Sequence, residues 1–284
     1  MREKGVIRGV PGVMRSSWQY HKAGGVSYYE LNHQSVRCIV TTRQQGESQG
    51  PYAHLNLTYG VGDDPKAVFA NRRMVEHLVQ TPLVTLRQVH STTVHYLTSQ
   101  ASVLAEVTAG DALITQQSGI ALAVKIADCL PVFIFGPDLL PTTQDSDCCT
   151  RPAPTLVAVA HAGWRGALKG TVAKTALFIQ DQLGIPTKCL KAAFGPCIAR
   201  NCYPVGQEIA RQFLKGSLLP SQEGQEPRAT SCLDLKAIVL AQLTELGIDL
   251  IADLDICPHC RSDLFYSVRR ASPTGRNLAI ILRT

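Results

Sequence analysis

The sequence predicts an α+β fold in a single domain, and three features predict it. Short apolar runs bounded by turn residues recur along the chain and read as buried strands. Between them lie segments with apolar residues at helical spacing, opened by acidic caps and closed by glycine or a polar residue. No internal repeat and no clear linker interrupts this alternation.

Residues 1–35 read as a weakly structured N-terminal segment, with Gly24-Gly25 followed by short aromatic strand-like pieces, and the single main domain is expected over 36–284. VRCIVTT (36–42) is a strand, followed by a Gly- and Gln-rich turn up to Pro51. Asp63-Asp64-Pro65 starts a helix, with a carboxylate cap and proline in the first turn; Val68, Val75, Leu78 and Val79 continue it to about Gln80. LVTLRQVH (83–90), ALI (112–114), IALAVKI (120–126) and VFIFG (132–136) read as buried strands. Residues 137–154, with prolines, acids and Cys148-Cys149, read as a surface insertion. TLVAVAH (155–161) is again a strand, and HAGWRG turns into a helix with Leu168, Val172, Ala176 and Ile179 on one face. The strand KAAFG (191–195) leads through Pro196 to a short helix carrying Val205, Ile209 and Phe213. After a polar loop over 215–231, Asp234 caps a helix with Leu235, Ile238, Val239 and Leu246, stopped by Gly247. Further strands are expected around 253–257, 264–268 and 278–282.

Composition narrows the class of partner. The 284 residues are 45% hydrophobic and 18% charged, an ordinary globular balance. A net charge of +6, scattered along the chain, slightly favours small anionic substrates and lacks the dense basic block of a nucleic-acid binder. The N-terminus has no continuous apolar stretch of the signal-peptide kind. No run approaches the ~18 apolar residues of a membrane span. The chain is therefore expected in a reducing cytoplasm, with its ten cysteines serving as buried fillers and a few as metal ligands.

Three polar residues fall where core strands empty into loops. His90 ends LVTLRQVH, His161 ends TLVAVAH, and Cys129 follows IALAVKIAD. Strand ends on one rim of a sheet are where a site can converge. Two imidazoles and a thiolate suit zinc and leave a fourth position open for water or substrate. Each also has an ordinary alternative, a hydrogen-bonded structural histidine or a filler cysteine. Around them, the glycines of HAGWRG permit close backbone approach and the helix N-terminus offers amides to an anion. Trp164 offers an aromatic face or simple packing, Arg165 a phosphate-binding fork, and Asp128 either an acid–base group or a turn carboxylate.

These stretches make up a recognisable set. TTRQQGESQGPYAHLNL (41–57), VGDDPKAVFANRR (61–73), RQVHSTTV (87–94), GDALIT (110–115), LAVKIADCLPV (122–132), VAVAHAGWRGALKG (157–170), FGPCI (194–198), YPVG (203–206) and TGR (274–276) follow one another in order. In them the chain resembles the laccase-domain family, also described as multi-copper polyphenol oxidoreductase-like proteins and as purine nucleoside phosphorylases. The resemblance implies an α+β mixed-sheet sandwich flanked by helices, with His90, Cys129 and His161 binding one zinc. It also implies phosphorolysis of adenosine, inosine and methylthioadenosine, and deamination of adenosine. Some members are instead linked to polyphenol oxidation or to editing of peptidoglycan precursors. Two features depart from the family pattern: the Cys148-Cys149 insertion and Cys257-Pro-His-Cys260. A lone CxxC supplies two metal ligands or a redox pair and no second pair is evident, so structural or incidental cysteines are expected.

Three functions compete on these residues. In a zinc-centred purine nucleoside enzyme, Arg43, Arg165 and the helix after Gly166 would contact phosphate, with Asn56 as a further polar contact and Trp164 beside the substrate. A copper polyphenol oxidase matches the ligand types, but eight histidines without a His-x-His pair and only three methionines argue against it. An amide hydrolase with Cys129 as nucleophile and a histidine base uses the same residue types. A pure binding module is disfavoured by the concentration of ligand-type residues at strand ends.

Overall fold

The computed structural model describes residues 17–98, 107–136, 155–215 and 230–284. Two mixed sheets pack face to face. The first has seven strands in the order β1 (Gln19–Ala23), β2 (Val26–His33), β3 (Val36–Thr41), β15 (Asn277–Arg283), β8 (Ala121–Ile126), β4 (Leu83–Arg87), β6 (Val107–Ala109). The second has six in the order β14 (Asp249–Asp253), β11 (Lys191–Phe194), β9 (Leu130–Phe135), β10 (Val157–Ala162), β7 (Ala112–Thr115), β5 (Val94–Leu97). A small ribbon of β12 (Pro204–Gly206) and β13 (Thr230–Cys232) stands apart. Neighbouring strands are antiparallel except β4 with β8 and β6, β5 with β7, and β11 with β14.

The period-2 geometry of a strand explains why these runs are apolar at nearly every position. In β10, Val157 and Val159 point between the sheets, while Ala158, Ala160 and Ala162 face the helices. In β8, Leu122, Val124 and Ile126 point inward, and Ala121 and Ala123 outward. The inter-sheet core is completed by Phe133, Phe135, Val40 and Ile281. Cutting a fully buried side chain such as Phe133 to alanine costs about 3–5 kcal/mol.

Helices cover both outer faces. α1 (Pro65–Val79) lays Val75 and Val79 against Ile39, Leu278 and Ile280 of the first sheet. Its cap is as the sequence predicts: the Asp64 side chain accepts from the Lys66 N–H, with proline in the first turn. On the second sheet lie α2 (Trp164–Lys169), α3 (Thr171–Leu183), α4 (Gln207–Lys215) and α5 (Leu235–Glu245), the last capped by Asp234 accepting from the Ala237 N–H.

The structure departs from the sequence reading at definite places. The stretch before residue 36 contributes β1 and β2, which pair in register with each other and with β3. The expected helix after HAGWRG is two helices, because Gly170 sits at φ +72°, ending α2 and capping α3. Residues 264–268 form no strand: the Tyr266 N–H donates to the Asn277 side chain instead of a neighbouring ladder. The strand expected at 253–257 runs over Asp249–Asp253. The Cys148-Cys149 insertion and most of the polar loop over 215–231 lie outside the described residues.

Candidate metal centre

His90, Cys129 and His161 converge where β4, β8 and β10 end, with their ligand atoms all within 4.8 Å of one another. Cys129 Sγ lies 4.0 Å from His90 Nε2, and the two imidazole rings meet edge to face with centroids 5.0 Å apart. Each residue is held there differently. His161 is inside β10, on the parity of Val157 and Val159, opposite Pro131 of β9. Cys129 occupies the tight turn joining β8 to β9, next to Asp128 at φ +97°. His90 lies three residues past β4, itself at φ +56°. Left-handed conformations at non-glycine residues are costly and persist where surrounding contacts enforce them.

Asp111 enforces much of this. Its carboxylate is fully buried at the start of β7. It accepts the backbone N–H groups of Val89 (3.3 Å), His90 (3.1 Å) and Ser91 (2.6 Å), and the Ser91 hydroxyl (2.9 Å). It also accepts Nδ1–H of His161 at 3.0 Å. An ionised carboxylate can only accept, so His161 carries its proton on Nδ1 and turns Nε2 toward Cys129 and His90. Across the His90 loop, the Gln88 side chain exchanges both of its amide hydrogen bonds with the Lys125 backbone, at 2.9 and 2.7 Å. One side-chain amide and one carboxylate thus lock the loop between β8 and β7.

Charge balance follows from these contacts. Burial works against the charge on Asp111, but the bonds from His161 and Ser91 prevail and bring its carboxyl to about 2. Burial likewise opposes the Cys129 thiolate, and His161 and His90 overcome it, lowering the thiol to about 6. His161 is desolvated as well, yet Cys129 and Asp111 raise its imidazole to about 9. Each of the two thus favours the charged form of the other, the Cys129 thiolate and the His161 imidazolium.

The donors fit a zinc-type ion: two imidazoles and a thiol of raised acidity, with a carboxylate behind one histidine. Gly163 gives the same indication. A Cβ built there would lie 2.8 Å from His90 Cδ2 and 3.0 Å from Cys129 Sγ, so only glycine leaves the His90 ring and the Cys129 sulfur where they are.

The centre forms the floor of a cleft of about 960 Å³. Its walls carry Trp164, Tyr203, Asp128 and four cations: Arg87, Lys125, Arg269 and Arg276. Asp128 is buried, with Oδ2 accepting the Arg269 N–H at 2.8 Å and Oδ1 without a hydrogen-bond partner. Burial lifts its carboxyl above the usual 3.8 against the bonds from Ser267 and Arg269.

The other sequence-predicted contacts fall elsewhere. Arg165 is exposed and stacks over Trp164, 4.4 Å from the ring, outside the cleft. Arg43 stacks over Tyr266 and donates to the carbonyls of Ser262 and Ala53. Asn56 is fully buried and spends its amide on Thr58 O and Asp63, while its Oδ1 accepts the N–H groups of Thr58 and Arg276. It shapes the rim that carries Thr58 and Arg276 and does not line the cavity.

The structure adds Asp111, Gln88, Tyr203 and Arg276 to the site, and it gives Gly163, noted above for close backbone approach, its contacts. Each stands in a motif already noted: GDALIT, HAGWRG, RQVH, YPVG and TGR. An acid directly before a buried strand was the available signal for Asp111.

Comparison with known proteins agrees with this architecture. The family model described as multi-copper polyphenol oxidoreductase laccase matches residues 37–284. A purine nucleoside phosphorylase of Corynebacterium glutamicum, Cgl2154/cg2365, is 36% identical over 249 residues, covering 87% of this chain and 94% of that protein. The purine nucleoside phosphorylase YlmD of Geobacillus stearothermophilus is 33% identical over 263 residues, covering 86% and 89%. Among solved structures, protein NMB0706 of Neisseria meningitidis superposes with a TM-score of 0.74 at 30% identity, covering 94% of this chain and 98% of that one.

Proposed function

The chain belongs to the multi-copper polyphenol oxidoreductase laccase family, and on that footing we propose that it is a zinc-dependent purine nucleoside enzyme. It cleaves adenosine, inosine and methylthioadenosine with phosphate and deaminates adenosine. The names of the curated relatives support nucleoside processing. The observation that carries the zinc-centred reading is the convergence of His90, Cys129 and His161, backed by Asp111, on the floor of a cation-walled cleft.

In phosphorolysis a phosphate oxygen bonds to C1′ of the ribose, the bond from C1′ to the purine nitrogen breaks, and the base leaves with a proton. In deamination water replaces the C6 amino group, which leaves as ammonia. A zinc ion held by the three side chains would supply Lewis acidity at neutral pH. The protein supplies the rest. Arg87, Lys125, Arg269 and Arg276 provide positive charge for phosphate, and the Trp164 ring provides a face for the purine. Asp128, buried and with one unpartnered oxygen, holds the transferred proton. Arg165 and Asn56 act indirectly, through Trp164 and Arg276. Copper oxidation draws less support, because among the described residues only two of the chain's eight histidines converge at this centre.

The test is metal analysis of the purified protein, then incubation with adenosine with and without phosphate. The expected products are adenine with ribose 1-phosphate in the first case, and inosine with ammonia in the second. A zinc-loaded protein that forms neither product ends this reading.

One observation favours a second reading. Cys129, His161 and Asp111 stand in the order nucleophile, base and orienting acid, and the metal-free thiol is already acidic. This would make an amide hydrolase, and peptidoglycan-precursor editing is of that kind. A metal-bound thiolate is a poor nucleophile, so amide cleavage that rises when metal is removed would favour it over the zinc reading.

A further inference from the structure

Beside the cleft, a second group of metal-ligating side chains comes together from two distant stretches of chain. Cys202 ends a short helical turn over Arg200–Cys202, while Cys257, His259 and Cys260 belong to the loop between β14 and β15. The ligand atoms of Cys202, His259 and Cys260 all lie within 4.8 Å of one another. Cys202 Sγ and Cys260 Sγ are 3.3 Å apart, across 58 positions of sequence. Cys257 stands just outside this group of three, at the other end of the Cys257–Cys260 turn.

The backbone around Cys257 is equally specific. Its sulfur accepts the Ala199 N–H at 3.2 Å, a contact across 58 positions of sequence. An amide aimed at the sulfur is the kind of outer-shell contact that orients metal ligands. The sulfur spacing also suits an ion. A disulfide would need ~2.05 Å, whereas thiolates ~2.3 Å from a tetrahedral zinc stand ~3.7 Å apart. The observed separation reaches that value by a shift of a few tenths of an ångström.

We infer that Cys202, Cys257, His259 and Cys260 form a second cation site, a structural one, for a thiophilic divalent ion of the zinc class. Four protein donors close the coordination sphere, in contrast to the three donors of the cleft. The ion ties the 199–202 turn to the 257–260 turn. Cys202 directly precedes Tyr203, which lines the cleft with the Arg269 guanidinium 5.0 Å from its ring centre. The second site therefore braces one wall of the cleft without touching its floor. It is independent of which reaction the cleft performs.

The test is cobalt(II) titration of the full chain after chelation and reduction under anaerobic conditions. The unmodified protein should take up two equivalents, one with the strong near-ultraviolet sulfur-to-cobalt absorption of a multi-thiolate site. His161→Ala should remove the other equivalent and keep this one. Cys202→Ser/Cys260→Ser should lose this absorption and one equivalent. If that double variant does not fold, His259→Ala should weaken the thiolate-rich site about tenfold or more and shift its visible bands. Cobalt uptake by the unmodified protein without the multi-thiolate absorption overturns the proposal, whereas a single equivalent that carries this absorption would count against the cleft centre instead. The proposal is also overturned by a thiolate-rich spectrum unchanged in folded Cys202→Ser/Cys260→Ser or His259→Ala, or by a Cys202–Cys260 disulfide that re-forms and excludes the ion.

Discussion

Asp111 Oδ1 stands 3.0 Å from His161 Nδ1, and the same carboxylate receives the backbone amides of Val89, His90 and Ser91. One buried acid therefore orients one histidine of the candidate centre through its ring and the other through its backbone. Asp111→Asn keeps the shape but removes the charge, and its amide donor faces groups that also donate. Zinc affinity should fall about 10- to 100-fold, measured by competition with a chromophoric chelator. Affinity unchanged in the folded variant would reduce Asp111 to a loop anchor.

Asp111 also sets an acid limit. Its folded carboxyl titrates near 2 against an ordinary 3.8. A depressed carboxyl contributes stability that is present above the unfolded value and lost as pH falls through the folded one. Metal-free protein should therefore lose stability between about pH 4 and pH 2, and Asp111→Asn should flatten that part of the profile. Parallel chemical-denaturation curves for the two proteins check this.

Cys129 in metal-free protein carries a thiol lowered to about 6, opposed by burial and driven by His161 and His90. Alkylation at Cys129 should then be fast at pH 7, slow as pH falls below about 6, and suppressed by zinc. Mass spectrometry of the alkylated peptide reads the site. Equal labelling with and without bound zinc would take Cys129 out of the metal shell.

Gly163→Ala places a methyl 2.8 Å from His90 Cδ2 and 3.0 Å from Cys129 Sγ. Gly163 has φ −77° and ψ 179°, which alanine adopts without strain, so the fold should survive. Displacing a ligand ring by a few tenths of an ångström should cost about tenfold or more in metal affinity and in turnover. The check is metal content beside a thermal melt.

Arg276 lines the cleft, with Nη1 donating to the carbonyls of Thr274 and Gly275 and its backbone N–H held by Asn56 at 2.9 Å. Arg276→Gln should raise the KM for phosphate by about 10- to 100-fold, the loss of a charge-assisted contact of ~1.5–3 kcal/mol. Deamination, which needs no phosphate, should change far less. Arg165→Ala should alter phosphorolysis only a few-fold, since its guanidinium rests on Trp164 outside the cavity. A larger effect from Arg165 than from Arg276 would reverse this assignment of the phosphate contacts.

The sequence by itself determined what local physics controls. Apolar runs whose two faces are both covered marked β8, β9 and β10, and acidic caps with helical spacing marked α1 and α5. Polar ligand types at the ends of those runs made His90, Cys129 and His161 candidates before any coordinates, and the family resemblance made them a set. Tertiary structure decided what depends on distance between remote segments. Asp111 carries no sign in the sequence that its carboxylate faces His161, 50 residues away. Arg165 belongs to HAGWRG and yet lies outside the cleft, with its guanidinium over the Trp164 ring. Cys202 and the Cys257–Cys260 loop share no spacing pattern, so only the fold could bring Cys202 to the pair that lacked partners. A periodic pattern encodes which face of an element is buried; which side chains then meet is set by how the sheets stack and where their loops turn.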